Sequence, residues 1–291
     1  MGEERRIRRV TRSVPTMEGA GVSLRRGFGF DEVPAFDPFL LFDDFRGDDP
    51  ADYRAGFPWH PHRGIETITY ILEGVVEHGD SLGNSGRIGP GDVQWMTAGR
   101  GIIHQEMPEG DARGRMGGFQ IWANLPRTQK MMDPRYRDVK AEEIPEVVLS
   151  GGARVKVIAG SVGGTAGPVQ DIVIDPLYLD ISLDAGGRFE QPLPRGHNAF
   201  AYMFSGSACF LGMSGKGREC VGDGTVVLFG DGELWRATAD GGPGRFLLVA
   251  GRPLGEPVAW RGPIVMNTQD ELAQAFEDYR NGTFARKPSA R

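Results

Sequence analysis

The chain of 291 residues is long enough for two compact domains of ordinary size. Its content of 40% hydrophobic and 25% charged residues excludes extended disorder and fibrous repeats. A net charge of −6 provides no global positive field for a phosphate backbone, so direct nucleic-acid binding is not expected.

The cysteines and the N-terminus bear on the cellular location. Cys209 and Cys220 form no CxxC pair and no ladder of bridges, which indicates a reducing compartment. The basic N-terminus is followed by polar residues and Pro15, where an export signal would need an apolar run. Apolar stretches fall far short of the roughly 20 residues of a membrane-spanning helix. We therefore expect a cytoplasmic protein that does not enter membranes.

The first half of the chain has the pattern of short strands separated by tight turns. Residues 66–72, 75–78, 93–97 and 101–106 are rich in β-branched or aromatic side chains and are bounded by glycine. Turn signals every eight to twelve residues are typical of a sandwich or a small closed barrel. The sequence therefore predicts an all-β unit over residues 1–130.

The second half repeats this architecture after a charged, proline-containing stretch. Residues 127–148 predict a connecting region with one helical turn. Short apolar runs then predict strands at 155–158, 171–174, 177–181, 199–204, 225–229 and 245–250. Near the end, Thr268 and Glu271 have the spacing of a capping box, and the helix they begin is expected to end at Asn281-Gly282. Residues 131–291 are thus predicted to form a second barrel with a short closing helix.

Three of the five histidines lie in two glycine-rich segments of the first half. Residues two apart in a strand project to the same face, so His60 and His62 point together, and so do His104 and Glu106. On adjacent strands of one barrel these pairs would converge and offer three imidazoles and a carboxylate to one ion. Such a donor set suits a first-row transition metal with open positions for water, O2 or a chelating substrate.

The other two histidines, His78 and His197, have no such partner in the pattern. A single histidine is more often a satisfied polar group than a ligand, and we assign that structural role to both.

These segments resemble the cupin superfamily, whose first motif reads HxH followed by a glutamate and a glycine, and whose second contains PxG and a histidine. The counterparts are His60-Pro-His62, Glu66, Gly74, Pro90-Gly-Asp92 and His104. The usual glutamate lies five residues after the second histidine, whereas Glu66 lies four after His62. A one-residue shift along a strand turns a side chain to the opposite face, so Glu66 should not reach the metal, and Glu106 is expected to replace it.

Among cupins, the strings HPHRGIETITYILEG and GDVQWMTAGRGIIHQEMP resemble the pirin family. The resemblance extends through DYRAGFPWHPHRG, residues 118–124 and Val265-Met-Asn267, and so covers nearly the whole chain. It implies a bicupin with one Fe(II) site in the N-terminal barrel, whose ligands map here onto His60, His62, His104 and Glu106. Some pirins show quercetin 2,3-dioxygenase activity, whereas eukaryotic members are nuclear transcriptional cofactors.

The second barrel is expected to hold no metal. Counting back from Gly206 as from Gly74 places Pro192 and Pro194 at the positions of the HxH histidines, and proline offers no ligand atom. We therefore expect one transition-metal ion per chain.

The leading functional hypothesis, which the pirin resemblance implies, is a dioxygenase that acts on a flavonol-like substrate with O2, with Glu106 as catalytic base as well as ligand. A wall for a flat aromatic ligand is predicted from Phe57, Trp59, Trp95, Met96 and Phe119. The alternative is a non-catalytic iron- or redox-sensing protein that binds a protein partner. No nuclear localisation cluster is evident, since the basic residues 5–9 read as a solvated first strand.

Overall fold

The computed structural model describes residues 2–285, which form antiparallel sheets and two α-helices. The strands are β1 (Ile7–Arg12), β2 (Val14–Glu18), β3 (Val22–Phe28), β4 (Phe39–Asp44), β5 (Phe57–His62), β6 (Ile65–Glu73), β7 (Val75–Asp80), β8 (Ser85–Ile88), β9 (Val93–Thr97), β10 (Ile102–Glu109), β11 (Gly117–Asn124), β12 (Arg135–Val139), β13 (Glu146–Leu149), β14 (Ala153–Ala159), β15 (Ser161–Val162), β16 (Thr165–Ala166), β17 (Leu177–Leu183), β18 (Arg188–Pro192), β19 (Asn198–Leu211), β20 (Arg218–Gly222), β21 (Thr225–Phe229), β22 (Leu234–Thr238), β23 (Gly244–Gly251), β24 (Ala259–Arg261) and β25 (Ile264–Met266). The helices are α1 (Pro50–Tyr53) and α2 (Gln269–Arg280), and two 3-10 turns cover Phe30–Glu32 and Ala141–Glu143.

The described residues divide into two compact units, neither of which is continuous in sequence. The first unit contains Val14–Val33, Phe39–Ala141 and the residues from Leu254 onward. The second contains the residues up to Ser13, Pro34–Pro38 and Glu142–Pro253. This grouping differs from a single division after residue 130, because β1 pairs with β21 and the segment that follows β23 packs in the first unit.

The first unit is built from two antiparallel sheets. One has the strand order β12-β9-β6-β11-β4-β3-β2, and the other has the order β5-β10-β7-β8. The short hairpin of β24 and β25 belongs to the same unit. The apolar faces of these strands surround buried side chains such as Ile65, Ile71, Ile102 and Phe119, which hold the strands that carry the candidate site.

The second unit is dominated by one large sheet with the strand order β1-β21-β19-β23-β17-β14-β13. Strands β20 and β22 also pair with β19, and β18 pairs with β22. Its interior is one hydrophobic cluster around the fully buried Trp235. Both units are built from antiparallel strands, so the predicted all-β fold with a short C-terminal helix is confirmed.

The closing helix begins as its sequence predicts. The Thr268 hydroxyl accepts from the Glu271 amide, and the Glu271 carboxylate accepts from the Thr268 amide, which forms the capping box. The helix ends at Arg280 with Asn281 as its C-cap. Leu272 and Ala275 lie on its buried face.

The structure differs from the sequence predictions in four places. Residues 171–174 form no strand, and Asp171 at the start of this segment and Asp175 just after it have positive φ angles, which suit turns rather than strands. The connecting region contains two strands, β12 and β13, around its helical turn. Arg5 is buried rather than solvated, because its guanidinium donates to the carbonyls of Pro194, His197 and Gly230.

The fourth difference concerns the cysteines. Cys209 on β19 lies opposite Cys220 on β20, and the two are joined by a disulfide rather than left as thiols. In the described part of the chain, neither helix is long and apolar enough to cross a membrane.

Candidate metal centre

Two antiparallel strands of the first unit bring three histidines together. His104 on β10 lies directly opposite His60 on β5, and His62 lies two residues further along β5. The ring centroids are 4.8 Å apart for His60 and His62, 4.3 Å for His60 and His104, and 5.0 Å for His62 and His104. One nitrogen from each ring lies within 4.8 Å of the other two, so the three imidazoles can bind one ion.

The hydrogen bonds of the β5 histidines fix which nitrogen faces inward. Nδ1 of His60 lies 2.9 Å from the Pro58 carbonyl, and Nδ1 of His62 lies 3.1 Å from the Pro263 carbonyl. A carbonyl oxygen only accepts, so Nδ1 carries the proton in both rings and Nε2 presents a lone pair. The two Nε2 atoms face each other at 3.0 Å. Two lone pairs at this distance repel each other unless both bind the same cation, so the pair fits two neighbouring ligands of one metal ion.

The third ring completes the set. Nε2 of His104 is buried and has no hydrogen-bond partner among the described residues, while its Nδ1 lies 3.4 Å from Nδ1 of His78. A buried imidazole nitrogen without a partner is costly, and a metal ion would satisfy it. His78 therefore contacts the candidate ligand His104 on the side away from its Nε2, a role that the sequence pattern did not show.

The electrostatics of the site favour neutral rings. Burial lowers the pKa of His60, and burial together with neighbouring rings lowers the pKa values of His62 and His104 well below the usual range. A neutral imidazole is the form that binds metals, so at neutral pH the three rings need not lose a proton before they coordinate an ion.

Glu106 lies on β10 two residues after His104. The register shift between the strands places the additional residue on β5, so the alternation along β10 is preserved and both side chains point to the same face. The carboxylate is buried and accepts a hydrogen bond of 3.3 Å from the Thr69 hydroxyl. Burial raises the pKa of Glu106 to about 7.

Glu66 is buried in a different environment. It lies on β6 three residues before Thr69, and this odd spacing puts the two side chains on opposite faces of the strand. Its carboxylate accepts a hydrogen bond of 2.7 Å from the Thr97 hydroxyl. Because Thr69 lies on the face that contacts Glu106, Glu66 points away from that face.

The C-terminal hairpin contributes to the site through the backbone. Pro263, between β24 and β25, supplies the carbonyl that orients the His62 ring. Gly64 has a φ of +81°, and a Cβ there would lie 1.9 Å from the Val265 carbonyl oxygen. Only glycine permits this approach, so the turn after the HPH segment packs directly against the hairpin.

A buried lysine joins the same segments. Nζ of Lys130 donates to the carbonyls of Gly64 and Val265 and to the Asn124 side chain, at 2.9, 3.0 and 2.6 Å. Three acceptors match the three N–H groups of an ammonium. Lys130 thus fixes the position of the turn at Gly64 that follows His62. Its location in a charged connecting stretch gave no sign of this role.

A cavity of about 810 Å³ in the first unit adjoins the histidines and is lined by His60, His62 and Glu106. Of the predicted aromatic wall, Phe57 lines this cavity, whereas Trp59 is 53% exposed. The other predicted members, Trp95, Met96 and Phe119, are buried core residues outside the lining, so the prediction was wrong for these four. The aromatic side chains that do line the cavity include Phe30, Phe45, Trp122 and Trp260.

Two all-β units, one of which places three histidines beside a large cavity, define a bicupin with a candidate metal centre. Two family models match the chain: Pirin over residues 21–123 and Pirin C-terminal cupin domain over residues 178–285.

Relatives and a solved structure agree with these matches. A pirin-like protein of Caulobacter vibrioides is 46% identical over 281 residues, which is 96% of this chain and 99% of that protein. A protein of Pseudomonas aeruginosa, provisionally named a quercetin 2,3-dioxygenase, is 46% identical over 275 residues, which is 93% of this chain and 95% of that one. A crystal structure of quercetin 2,3-dioxygenase from Acinetobacter baumannii superposes with a TM-score of 0.85 at 29% identity, over 97% of this chain and 99% of that one. The chain belongs to the pirin family.

Proposed function

We propose that this chain is an Fe(II)-dependent dioxygenase that acts on flavonol-like substrates with O2 in the cytoplasm. The observation that carries the proposal is the pair of inward-facing Nε2 atoms of His60 and His62 beside the partnerless Nε2 of His104, at the wall of a cavity large enough for a three-ring aromatic molecule. Two similar proteins with quercetin 2,3-dioxygenase in their names support the choice of substrate.

In this proposal Glu106 is the fourth ligand, and three imidazoles with one carboxylate suit a first-row transition metal such as Fe(II). When bound, the ion supplies a positive charge that acidifies a chelating hydroxyl and an open position for O2. A dioxygenase of this kind needs no added reductant, because the flavonol provides the electrons and both atoms of O2 end in its products.

The protein's own groups have distinct tasks in this scheme. Hydrogen bonds to the Pro58 and Pro263 carbonyls hold the His60 and His62 rings with Nε2 inward. The Glu106 carboxylate, on the same cavity wall, accepts the proton of the substrate hydroxyl, and the Thr69 hydroxyl holds that carboxylate in place. Apolar side chains such as Trp122 exclude water from the ring of the substrate.

Oxygen consumption with quercetin tests the proposal. Protein loaded with Fe(II) should consume O2 in proportion to the flavonol lost, whereas metal-free protein and His62→Ala should not. His197→Ala, which changes a histidine of the second unit, is the matched control and should retain the wild-type rate.

Glu106→Gln tests the role of the base separately. The rate per bound iron should fall by about a hundredfold or more, the usual contribution of a positioned general base. A wild-type rate per iron would remove the base role. If Fe(II)-loaded wild-type protein oxidises no flavonol, the non-catalytic sensor that binds a protein partner becomes the better hypothesis.

A further inference from the structure

A row of polar side chains crosses the cavity wall of the first unit. Thr69, Gln120, Asp43 and Arg26 lie directly opposite one another on the successive strands β6, β11, β4 and β3. The one hydroxyl proton of Thr69 is shared between the Gln120 side-chain oxygen at 2.6 Å and, at the near end, the Glu106 carboxylate at 3.3 Å. Three strand spacings separate the Thr69 and Arg26 strands, which amounts to about 14 Å. The row therefore leads from the candidate metal centre to a charged group at the far end.

The far end contains two carboxylates and one guanidinium. Nε and Nη2 of Arg26 donate to the two Asp43 oxygens, each at 2.8 Å, and Nη1 lies 2.8 Å from the Glu18 carboxylate. Asp43 is only 5% exposed, and all three residues line the cavity. The oxygens retain lone pairs, so this end can accept further hydrogen bonds but repels an anion.

The residues beside the row are apolar. Leu24, Leu41 and Trp122 lie two positions from Arg26, Asp43 and Gln120 on their strands and also line the cavity. Alternation along a strand places them on the same wall as the row. A wall with apolar strips beside one polar row matches a flat ring system, whose faces are apolar and whose edge carries hydroxyl groups.

We infer that Asp43 and Glu18, held by Arg26, form a distal subsite that selects uncharged aromatic ligands with hydroxyl donors on the ring far from the metal. This inference rests on the proposed function for the orientation of the ligand, with its chelating end at the histidines. Gln120 lies in the row between Thr69, near the metal end, and Asp43, at the distal end.

Binding of three flavonols to Zn(II)-loaded protein tests the subsite, because Zn(II) has no redox chemistry and no turnover occurs. Galangin, kaempferol and quercetin carry zero, one and two hydroxyls on the distal ring. Wild-type affinity should rise by about tenfold per hydroxyl, as expected for hydrogen bonds to a charged acceptor. In Asp43→Asn the difference across the series should fall below about threefold.

Asp44→Asn is the matched control. Asp44 is the next residue on β4 and is also buried and paired with an arginine, Arg46, but its side chain points to the opposite face. The Asp44→Asn variant should keep the wild-type differences in affinity among the three flavonols. If Asp43→Asn fails to fold, the test uses Glu18→Gln instead, at a partly exposed position. This variant should also reduce the difference in affinity among the three flavonols.

Equal affinity of the wild-type protein for the three flavonols would overturn the subsite. So would wild-type differences in affinity in Asp43→Asn or in Glu18→Gln. Turnover of all three flavonols by Fe(II)-loaded protein together with a flat binding series would leave the proposed function standing without it. A graded binding series without any turnover would support the subsite and remove the dioxygenase.

Discussion

The interiors of the two units differ although both are cupin domains. The first unit surrounds a cavity with histidines and a polar row. The second is filled with aliphatic side chains packed around an aromatic group. There, the Trp235 ring lies 5.5, 5.7 and 5.8 Å from the rings of Phe210, Phe229 and Phe246, and all four are buried. The comparison shows that the same strand architecture can support either a binding site or a solid core, and that the inward-facing side chains decide which.

The largest expected effect separates the two interiors by metal content. His104→Ala should lower metal affinity by more than about a hundredfold, since removal of even an outer partner of a metal ligand costs tenfold to a hundredfold. Wild-type protein should bind one ion per chain, as measured by elemental analysis after iron reconstitution. Two ions per chain would show that a second site exists. Loss of the ion in His197→Ala would place the metal site in the second unit.

The second effect is on stability and belongs to the filled interior. Trp235→Ala should lower the free energy of unfolding by about 3–5 kcal/mol, because it opens a large cavity in a close-packed core. The metal bound per folded chain should stay unchanged. Denaturant titration measures the loss, and Trp59→Ala at an exposed position serves as the control.

The third effect is a dependence of stability on pH in the metal-free protein. Glu106 binds its proton more tightly when folded, with a pKa of about 7 against 4.5 for the ordinary group. Between these values the folded state holds more protons than the unfolded state, so the contribution of Glu106 to stability is complete below pH 4.5 and is lost as pH rises to about 7.

Glu106→Gln removes this loss. At pH 8 the metal-free variant should be more stable than the wild type by up to about 3 kcal/mol, whereas the two should be similar near pH 4.5. Denaturant titrations at both pH values measure the difference. Equal stability at pH 8 would mean that the carboxylate ionises in the folded protein without cost.

The smallest expected effect concerns Glu66. Because its side chain lies on the strand face opposite Thr69 and bonds to Thr97, Glu66→Gln should leave the metal content near the wild-type value. A loss as large as that of His104→Ala would place Glu66 among the ligands and would restore the usual cupin arrangement.

Much of the architecture was predictable because local patterns determine it. Alternation and turn residues located β6, β9 and β21 to within a residue. The i, i+2 spacing predicted that His60, His62, His104 and Glu106 converge, and the structure groups the three histidines without Glu106. Residues 171–174 misled the prediction because a short apolar run suits a buried turn as well as a strand.

The rest depends on contacts between segments far apart in sequence. Lys130 contacts Gly64 from 66 residues away, and Pro263 contacts His62 from 201 residues away. No spacing rule in the sequence connects these pairs. The Asp43–Arg26 pair likewise becomes visible as part of a row only when the strand order β6-β11-β4-β3 is known. The aromatic wall failed for the same reason, since the choice between cavity and core depends on which face of each strand is covered.

The position of Pro263 in the chain has a consequence for biosynthesis. The ribosome makes the three histidines early, but it makes the carbonyl that orients His62 only after the whole of β13 to β23. A nascent chain therefore carries the three imidazoles before it contains the Pro263 carbonyl that orients the His62 ring. The candidate metal centre therefore reaches the geometry described above only after translation has passed both units and reached the C-terminal hairpin.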